Sequence, residues 1–172
     1  MLVYPSGLDV STRHLTLLTT ALRGRRARIG TRWRKLAAER QALLVLAWLR
    51  KNETYTALAG GFGIGVATVS RYVREALEVL AALAPTLAQA LEVARRKVFV
   101  VLDGTLVRTD RVRTRRRGAD AAFYSGKIRA HGMNVQVIAG PGGELLWASP
   151  ALPGARHDLT AARQHGLEIV SL

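Results

Sequence analysis

Apolar residues in the first half of the chain recur at the three- and four-residue spacing of amphipathic helices. Leu15, Leu18 and Leu22 follow Ser11, a favourable N-cap residue, and they predict a short first helix. The run LAAERQALLVLAWL, at 36–49, has the same periodicity and predicts a second helix. The first half of the chain is therefore expected to be all-helical.

The next segment predicts two further helices joined by a turn. Residues 55–59 form the first helix, Gly61 and Gly63 supply a conformationally permissive turn, and Phe62 and Ile64 are expected in the core. In the helix that follows, the apolar side consists of Val66, Val69, Val73, Leu77 and Leu80, and the outward side of Ala67, Thr68, Arg71 and Glu75. The pattern predicts either a helix-turn-helix or an ordinary helical hairpin whose polar side faces water.

The net charge favours the helix-turn-helix. The 172 residues contain 26 Lys+Arg and 12 Asp+Glu, which gives a net charge of +14 and an isoelectric point near 11.5. Such an excess is typical of proteins that bind a polyanion, most commonly nucleic acid. An anionic membrane surface is the alternative partner, but the sequence has no long apolar span and no signal peptide. We therefore predict a cytoplasmic protein that binds duplex DNA through a helix-turn-helix core at about 36–84.

Much of this charge lies in the run RGRRARIGTRWRK, at 23–35, which has seven basic residues and no acid. Taken alone the run could be a solvated linker, but Arg-rich segments beside DNA-binding helices often contact phosphates. Hydroxyl and guanidinium side chains near a helix start are suited to reading base edges in the major groove. The candidate DNA-binding residues of this half are Arg25, Arg26, Arg28, Arg32, Arg34, Thr68, Arg71 and Arg74.

After about residue 94 the apolar period changes from that of helices to that of strands. The run KVFVVLD, at 97–103, is apolar on both faces and predicts a central strand of a sheet. In MNVQVIA, apolar and polar residues alternate, which predicts a strand. PGG at 141–143 predicts a turn, and ELLWAS predicts a second strand that returns beside the first. HDLTAARQHG predicts a helix. We therefore predict an α+β protein with an all-helical DNA-binding domain at 1–94 and an α/β domain at 95–172.

Two aspartates are candidates for chemistry in the second domain. Asp103 is the last residue of the predicted buried strand. It could be a turn residue ahead of Gly104, an ion-pair partner of an arginine in the following loop, or a ligand of a divalent cation. Asp158 directly precedes a predicted helix and on local grounds is its N-cap. The chain has no cysteine, so any metal must be bound by carboxylates and histidines. A basic loop predicted to contact phosphate contains Lys127, Arg129 and His131.

Five motifs occur in one order along the second half of the chain. They are DGT at 103–105, YSGK at 124–127, HGMNVQV at 131–137, GELLWAS at 143–149 and PGARHD at 153–158. Together they resemble the catalytic domain of DDE-superfamily transposases, in the insertion-sequence and Harbinger-like branch. The preceding helices are similar to the helix-turn-helix domain of that family, so the resemblance covers nearly the whole chain from about Arg23.

The resemblance implies a partial RNase H-like catalytic domain and an enzyme that cleaves and transfers DNA strands at transposon ends. In the family, an acidic triad binds two Mg²⁺ (or Mn²⁺) ions that activate the attacking oxygen and stabilise the leaving oxygen. Asp103 matches the first acid, and Asp158 is a candidate second acid or, if a later aspartate has that role, a capping residue. The implied partner is double-stranded DNA in the cytoplasm, or in the nucleoid of a bacterium, and homo-oligomerisation stays open.

The chain departs from the family pattern after Gly166. It continues as LEIVSL and ends, whereas the resemblance requires further strands and a helix that delivers a glutamate; Glu168 lies too close to Asp158 for this role. We therefore expect a truncated transposase whose cleavage chemistry is lost or incomplete. The alternative is a DNA-binding protein without enzymatic activity, such as an inhibitor of transposition or a decayed remnant.

Overall fold

The structure is a computed structural model, and it describes residues 10–30, 34–109 and 120–167. The chain divides into two compact units, Met1–Ala84 and Pro85–Leu172. Each unit has a hydrophobic core of its own.

The described residues of the first unit form four helices, α1 (Thr12–Arg28), α2 (Ala38–Lys51), α3 (Tyr55–Phe62) and α4 (Val66–Leu83). Helix α1 begins after Ser11, whose Oγ accepts a hydrogen bond from the backbone N–H of His14. Leu18 and Leu22 are fully buried in one core with Leu44 of α2 and Val69 of α4. The prediction of an all-helical first half is confirmed for these residues.

Helices α3 and α4 form the predicted helix-turn-helix, with one correction to the turn. Helix α3 extends to Phe62, so Gly61 lies inside the helix rather than in the turn. Gly63 follows at φ +65°, in the left-handed region that favours glycine, and it makes the turn. Phe62 and Ile64 are buried as predicted, on either side of Gly63, and they join the turn to the core.

The buried face of α4 differs from the prediction at three positions. Val69 and Val73 are buried as expected, whereas Val66 and Leu77 are exposed. Glu75, predicted to face outward, is only 8% exposed. The buried face includes Tyr72 and Glu75 because polar side chains from other parts of the unit compensate the buried carboxylate. Apolar periodicity alone does not show such compensation, so it does not predict the burial of Glu75.

The described residues of the second unit form two helices, a 3₁₀ turn and five strands: α5 (Leu87–Ala94), β1 (Val101–Arg108), the 3₁₀ turn (Ala121–Phe123), β2 (Tyr124–Ser125), β3 (Ala130–Ala139), β4 (Leu145–Ala148), β5 (Leu152–Pro153) and α6 (Asp158–Gln164). Ala90 of α5 packs with Ile138 and Trp147 in the core of this unit. Helix α5 therefore belongs to the second compact unit, whose first residue, Pro85, precedes the predicted boundary after residue 94. No single helix in the described residues is long and apolar enough to cross a membrane; α4 and α5 meet that requirement only as a bent pair.

Strand β3 is the centre of a five-stranded sheet in which every pairing is antiparallel. Strand β1 pairs with one edge of β3 over its whole length, and β2, β5 and β4 pair in turn along the opposite edge. The predicted hairpin of two strands is β3 and β4, joined by a turn in which Gly143 has φ +79°. The α+β fold class is confirmed.

The predicted central strand at 97–103 is wrong in both position and environment. Strand β1 starts only at Val101 and continues through Asp103 to Arg108, because β3 offers pairing partners along that whole length. Val98 is 97% exposed, and alternate residues of β1 are exposed as well. In the described part of the chain no strand pairs with the outer edge of β1, which is therefore an edge strand.

Candidate functional site

The outward face of α4 carries the polar side chains that the helix-turn-helix prediction requires. Arg71 and Arg74 are exposed, and Thr68 is partly buried. Nη2 of Arg71 donates a hydrogen bond of 3.2 Å to Oγ1 of Thr68, its neighbour one turn earlier. These two residues line a cleft of about 210 Å³ together with Arg34, Lys35 and Tyr72. The N-terminal half of α4 thus presents hydroxyl and guanidinium groups to the surface.

Several arginines of the basic run are held by acidic residues of the same unit. Glu75 Oε1 lies 2.7 Å from Nη2 of Arg34 and 3.6 Å from Nε of Arg25. Nη2 of Arg25 also lies 2.6 Å from Glu78 Oε2. The charges of Arg25 and Arg34 are therefore neutralised within the unit. Their predicted DNA contacts remain predictions, but their observed role is to hold α4 to the segments that precede α2.

Arg26 takes part in the same network through neutral partners. Its Nη2 donates to the carbonyl oxygen of Leu36 at 3.0 Å and to Oε1 of Gln41 at 2.7 Å. Nε2 of the buried Gln41 in turn donates to Oε2 of Glu75 at 3.0 Å and to the carbonyl oxygen of Tyr72 at 3.2 Å. A chain of polar contacts thus connects α1, α2 and α4 in the interior of the unit.

The remaining cations of the run differ in their surroundings. Arg23 is bonded to Glu39, and the N–H of the Glu39 backbone, followed by Arg23, holds the pKa of that carboxyl below its usual value. Arg28 and Lys35 are exposed and have no ion pair among the described residues. Arg32 lies outside the described residues. Fewer cations of the run are therefore free than its sequence suggests.

Asp158 is the first residue of α6 rather than its N-cap, so the prediction of a capping role is wrong. The N-cap is His157, whose side chain makes no capping hydrogen bond. The Asp158 carboxylate instead accepts a hydrogen bond of 2.8 Å at Oδ1 from Nδ2 of Asn134. Its Oδ2 lies 3.6 Å from Nζ of Lys127, which is 80% exposed. Gln136 Nε2 donates to Asn134 Oδ1 at 2.7 Å and so orients the Asn134 amide.

Asp103 lies inside β1, opposite Val137 of β3, rather than at the end of the strand as predicted. The N–H of Gly104 donates to Asp103 Oδ1 at 2.8 Å. Successive residues of a strand point to opposite faces, so Gly104 faces away from Asp103. A Cβ at Gly104 would lie 2.5 Å from Cγ of Asp158 and 2.7 Å from Nε2 of Gln136. Asp103 and Asp158 nevertheless both line one small cleft of about 160 Å³ beside Gly104, where any side chain larger than hydrogen would collide with Asp158.

A groove of about 640 Å³ adjoins Asp158 between the segments 124–128 and 154–158. Lys127 and Arg156 are its exposed cations, and Arg156 has no counterpart among the predicted site residues. Arg129 is exposed at a left-handed φ of +54°. His131 packs edge-on against the ring of Tyr124 at 5.2 Å, and its buried Nδ1 has no hydrogen-bond partner in the described part of the chain. Lys127 is thus better placed than His131 for contact with an anion.

The acidic residues fit a divalent cation in kind but not in number. Carboxylate oxygens are the ligands that Mg²⁺ and Mn²⁺ prefer, and Mg²⁺ often uses one or two of them with water and substrate phosphates. Among the described residues, however, no group of three or more His, Asp or Glu could hold a metal ion. An ion bound by Asp158 would also have to displace Lys127 from Oδ2.

Two family models match the chain, one in its helical part and one in the part that contains the sheet. Residues 34–86 match the family model described as helix-turn-helix of DDE superfamily endonuclease, and residues 102–169 match the model described as DDE superfamily endonuclease. Curated proteins and solved structures gave no match. The two family matches occur in the order that the motifs predict, although they do not distinguish the Harbinger-like branch. The chain therefore belongs to the DDE endonuclease superfamily and combines a DNA-binding helix-turn-helix with a transposase-type nuclease segment.

Proposed function

We propose that this chain binds duplex DNA at transposon ends and contributes to Mg²⁺- or Mn²⁺-dependent cleavage and transfer of a DNA strand. The observation that carries the proposal is the exposed face of α4, where Thr68, Arg71 and Arg74 follow a glycine turn at Gly63. Side chains near the start of such a helix are suited to the major groove. Action in the cytoplasm, at the nucleoid if the source is bacterial, and assembly into a homo-oligomer belong to the same proposal.

In the second unit, Asp103 and Asp158 would hold the divalent cation. The cation would activate the attacking oxygen and stabilise the leaving oxygen at a phosphodiester. The chain's own part is to place both aspartates at the cleft beside Gly104, with Asn134 orienting Asp158. Lys127 and Arg156 would attract the phosphate backbone to the adjoining groove.

A second candidate function is DNA binding without cleavage. It is favoured by the contacts of Asp158, since both of its carboxylate oxygens already face a hydrogen-bond donor or a cation. Two carboxylates also bind Mg²⁺ weakly, because the ion keeps its waters unless several fixed oxygens replace them. We therefore expect little or no cleavage by the 172-residue chain on its own.

One assay separates the two candidates. The 172-residue chain and its Asp103→Ala variant are incubated with DNA carrying candidate transposon ends, with Mg²⁺ or Mn²⁺ and with chelator. Binding with metal-dependent nicking that disappears in the variant supports the nuclease. Binding without nicking in either protein supports the non-enzymatic candidate, and failure to bind any duplex contradicts both.

A further inference from the structure

The segment just before α2 is fixed to α4 by three contacts. Nη2 of Arg34 bonds to Oε1 of Glu75 at 2.7 Å, and the Arg34 guanidinium lies over the ring of Tyr72, 6.0 Å from its centroid. The backbone N–H of Leu36 donates to the hydroxyl of Tyr72 at 3.2 Å. The residues on both sides of Lys35 are therefore held against Tyr72 and Glu75 of α4, and Tyr72 lies one helical turn after Thr68.

Arg34 and Lys35 differ in the charge that they leave available. The Arg34 side chain is 24% exposed, and its charge is opposed by the buried Glu75. Lys35 is exposed and has no ion pair within the described ranges. It lines the cleft of about 210 Å³ with Thr68 and Arg71, and no acidic side chain is among the described residues that line this cleft. The cleft therefore offers an ammonium group, a hydroxyl and a guanidinium to an anion.

We propose that this cleft binds one backbone phosphate of the DNA duplex, with Lys35 as its cationic contact and Arg34 as a positioning residue. The inference rests on the proposed DNA binding by the first unit. A lysine ammonium binds phosphate as a point charge, and each phosphate that is neutralised releases counterions. A phosphate seated in the cleft lies beside Thr68 and Arg71, which would fix the position of α4 in the groove.

The direct test is the salt dependence of DNA binding by the full 172-residue chain. Affinities for two duplexes of unrelated sequence are measured between about 50 and 200 mM salt. Lys35→Ala should weaken binding to both duplexes by the same factor and reduce the salt slope by about 1. Over that fourfold range of salt, the loss of affinity in the wild type should exceed the loss in the variant by a factor of about 3.5.

Arg13→Ala provides a matched control. Arg13 is an exposed cation that lies with Leu83 at the C-terminal end of α4. At a rise of 1.5 Å per residue, Leu83 is about 22 Å along the helix axis from Thr68. Like Lys35→Ala, this variant removes one positive charge from the first unit. Because Arg13 lies far from the cleft, the variant should keep the wild-type salt slope. An equal slope loss in Arg13→Ala and Lys35→Ala would show a diffuse charge effect and overturn the proposed cleft.

The positioning role of Arg34 requires a second pair of variants. Arg34→Met keeps an unbranched side chain over Tyr72 but removes the bond to Glu75, so it should reproduce the slope loss of Lys35→Ala. The double variant should show no further loss. A double variant with twice the slope loss would mean that Arg34 contacts a phosphate itself. If Arg34→Met fails to fold, Tyr72→Phe removes the acceptor for Leu36 N–H and should make the Lys35→Ala effect smaller.

The outcomes for the inference and for the proposed function can be told apart. Wild-type chain that binds neither duplex at any salt concentration would contradict the proposed function, and the cleft with it. Wild-type chain that binds with a steep salt slope, while Lys35→Ala behaves like wild type, would overturn the cleft alone. A specificity change in Lys35→Ala would also contradict it, because a phosphate contact carries no direct sequence information.

Discussion

The two units use polar residues in opposite ways. In the first unit, Glu75 is buried among helices and is held by Arg25, Arg34 and Gln41, so charge is part of the core. In the second unit, Asp103 lies on an exposed edge strand, and Asp158 is only partly buried beside it. A basic run can therefore be largely structural, whereas the two aspartates beside the edge strand are exposed or partly exposed at the surface.

The largest predicted effect is on the first unit. Glu75→Ala leaves Arg25 and Arg34 without their buried partner and should lower the free energy of unfolding by about 3 kcal/mol. This value lies at the low end of the range for buried pairs because both arginines can regain some water. Urea unfolding is followed by tryptophan fluorescence in a Trp147→Phe background, where the remaining tryptophans belong to the first unit.

Glu78→Ala is the control for that experiment. Glu78 lies on the same helix and also bonds to Arg25, but its side chain is half exposed. Its loss should cost about 0.5 kcal/mol, as for surface ion pairs. Equal unfolding midpoints for the two variants would remove the contrast between a charged core in the first unit and exposed acids in the second.

The second prediction compares how a glycine-to-alanine substitution changes the stability of each unit. Gly104→Ala places a methyl group against Asp158 and Gln136, and it should destabilise the second unit by about 2 kcal/mol. Gly24 lies within α1 with open space around it, so Gly24→Ala should stabilise the first unit by about 0.5–1 kcal/mol. Trp147 fluorescence, in a Trp33→Phe and Trp48→Phe background, reports the second unit. Destabilisation of equal size in both variants would contradict the close approach at Gly104.

The third prediction tests whether the amide or the ion pair holds Asp158. Asn134→Ala removes the donor to Oδ1 and leaves Nε2 of Gln136 unpaired, so it should cost about 1.5 kcal/mol. Lys127→Ala removes only an exposed partner and should cost less than about 0.5 kcal/mol. The same Trp147 signal measures both. A larger effect for Lys127→Ala would mean that Asp158 is fixed by charge.

The first unit could largely be predicted from sequence because its helices are local. The cap at Ser11, the turn at Gly63 and the buried Phe62 follow from neighbouring residues. Glu75 could not be predicted, since its burial depends on arginines about 40 and 50 residues earlier in the chain. Single-sequence periodicity contains no information about such distant pairs.

The second unit was harder to predict because sheet pairing is not local. The run at 97–103 has the composition of a buried strand, yet register with β3 moves the strand to Val101–Arg108 and leaves Val98 exposed. The predicted strand and helix draw attention to Asp103 and Asp158, and the motifs assign both to an acidic site. Only the structure shows that the two aspartates line one cleft beside Gly104 and that Asn134 bonds to Asp158; the glycine after Asp103 is the one signal in the sequence.

The smallest predicted effect concerns a carboxyl group whose pKa is lowered, and each unit contains such a group. In the second unit, a hydrogen bond from Nζ of Lys97, followed by its own backbone N–H, lowers the pKa of Glu144 from the usual 4.5. A carboxyl whose pKa is lower in the folded state adds stability above its unfolded pKa and loses it as the pH falls through the folded value. Glu144→Gln should therefore lower the thermal midpoint slightly near neutral pH, and the difference from wild type should vanish as the pH falls below the folded pKa. Lys97→Met removes the same bond and should show the same pH dependence. A difference that persists in acid would mean that the substitutions act through packing of the turn rather than through the charge of Glu144.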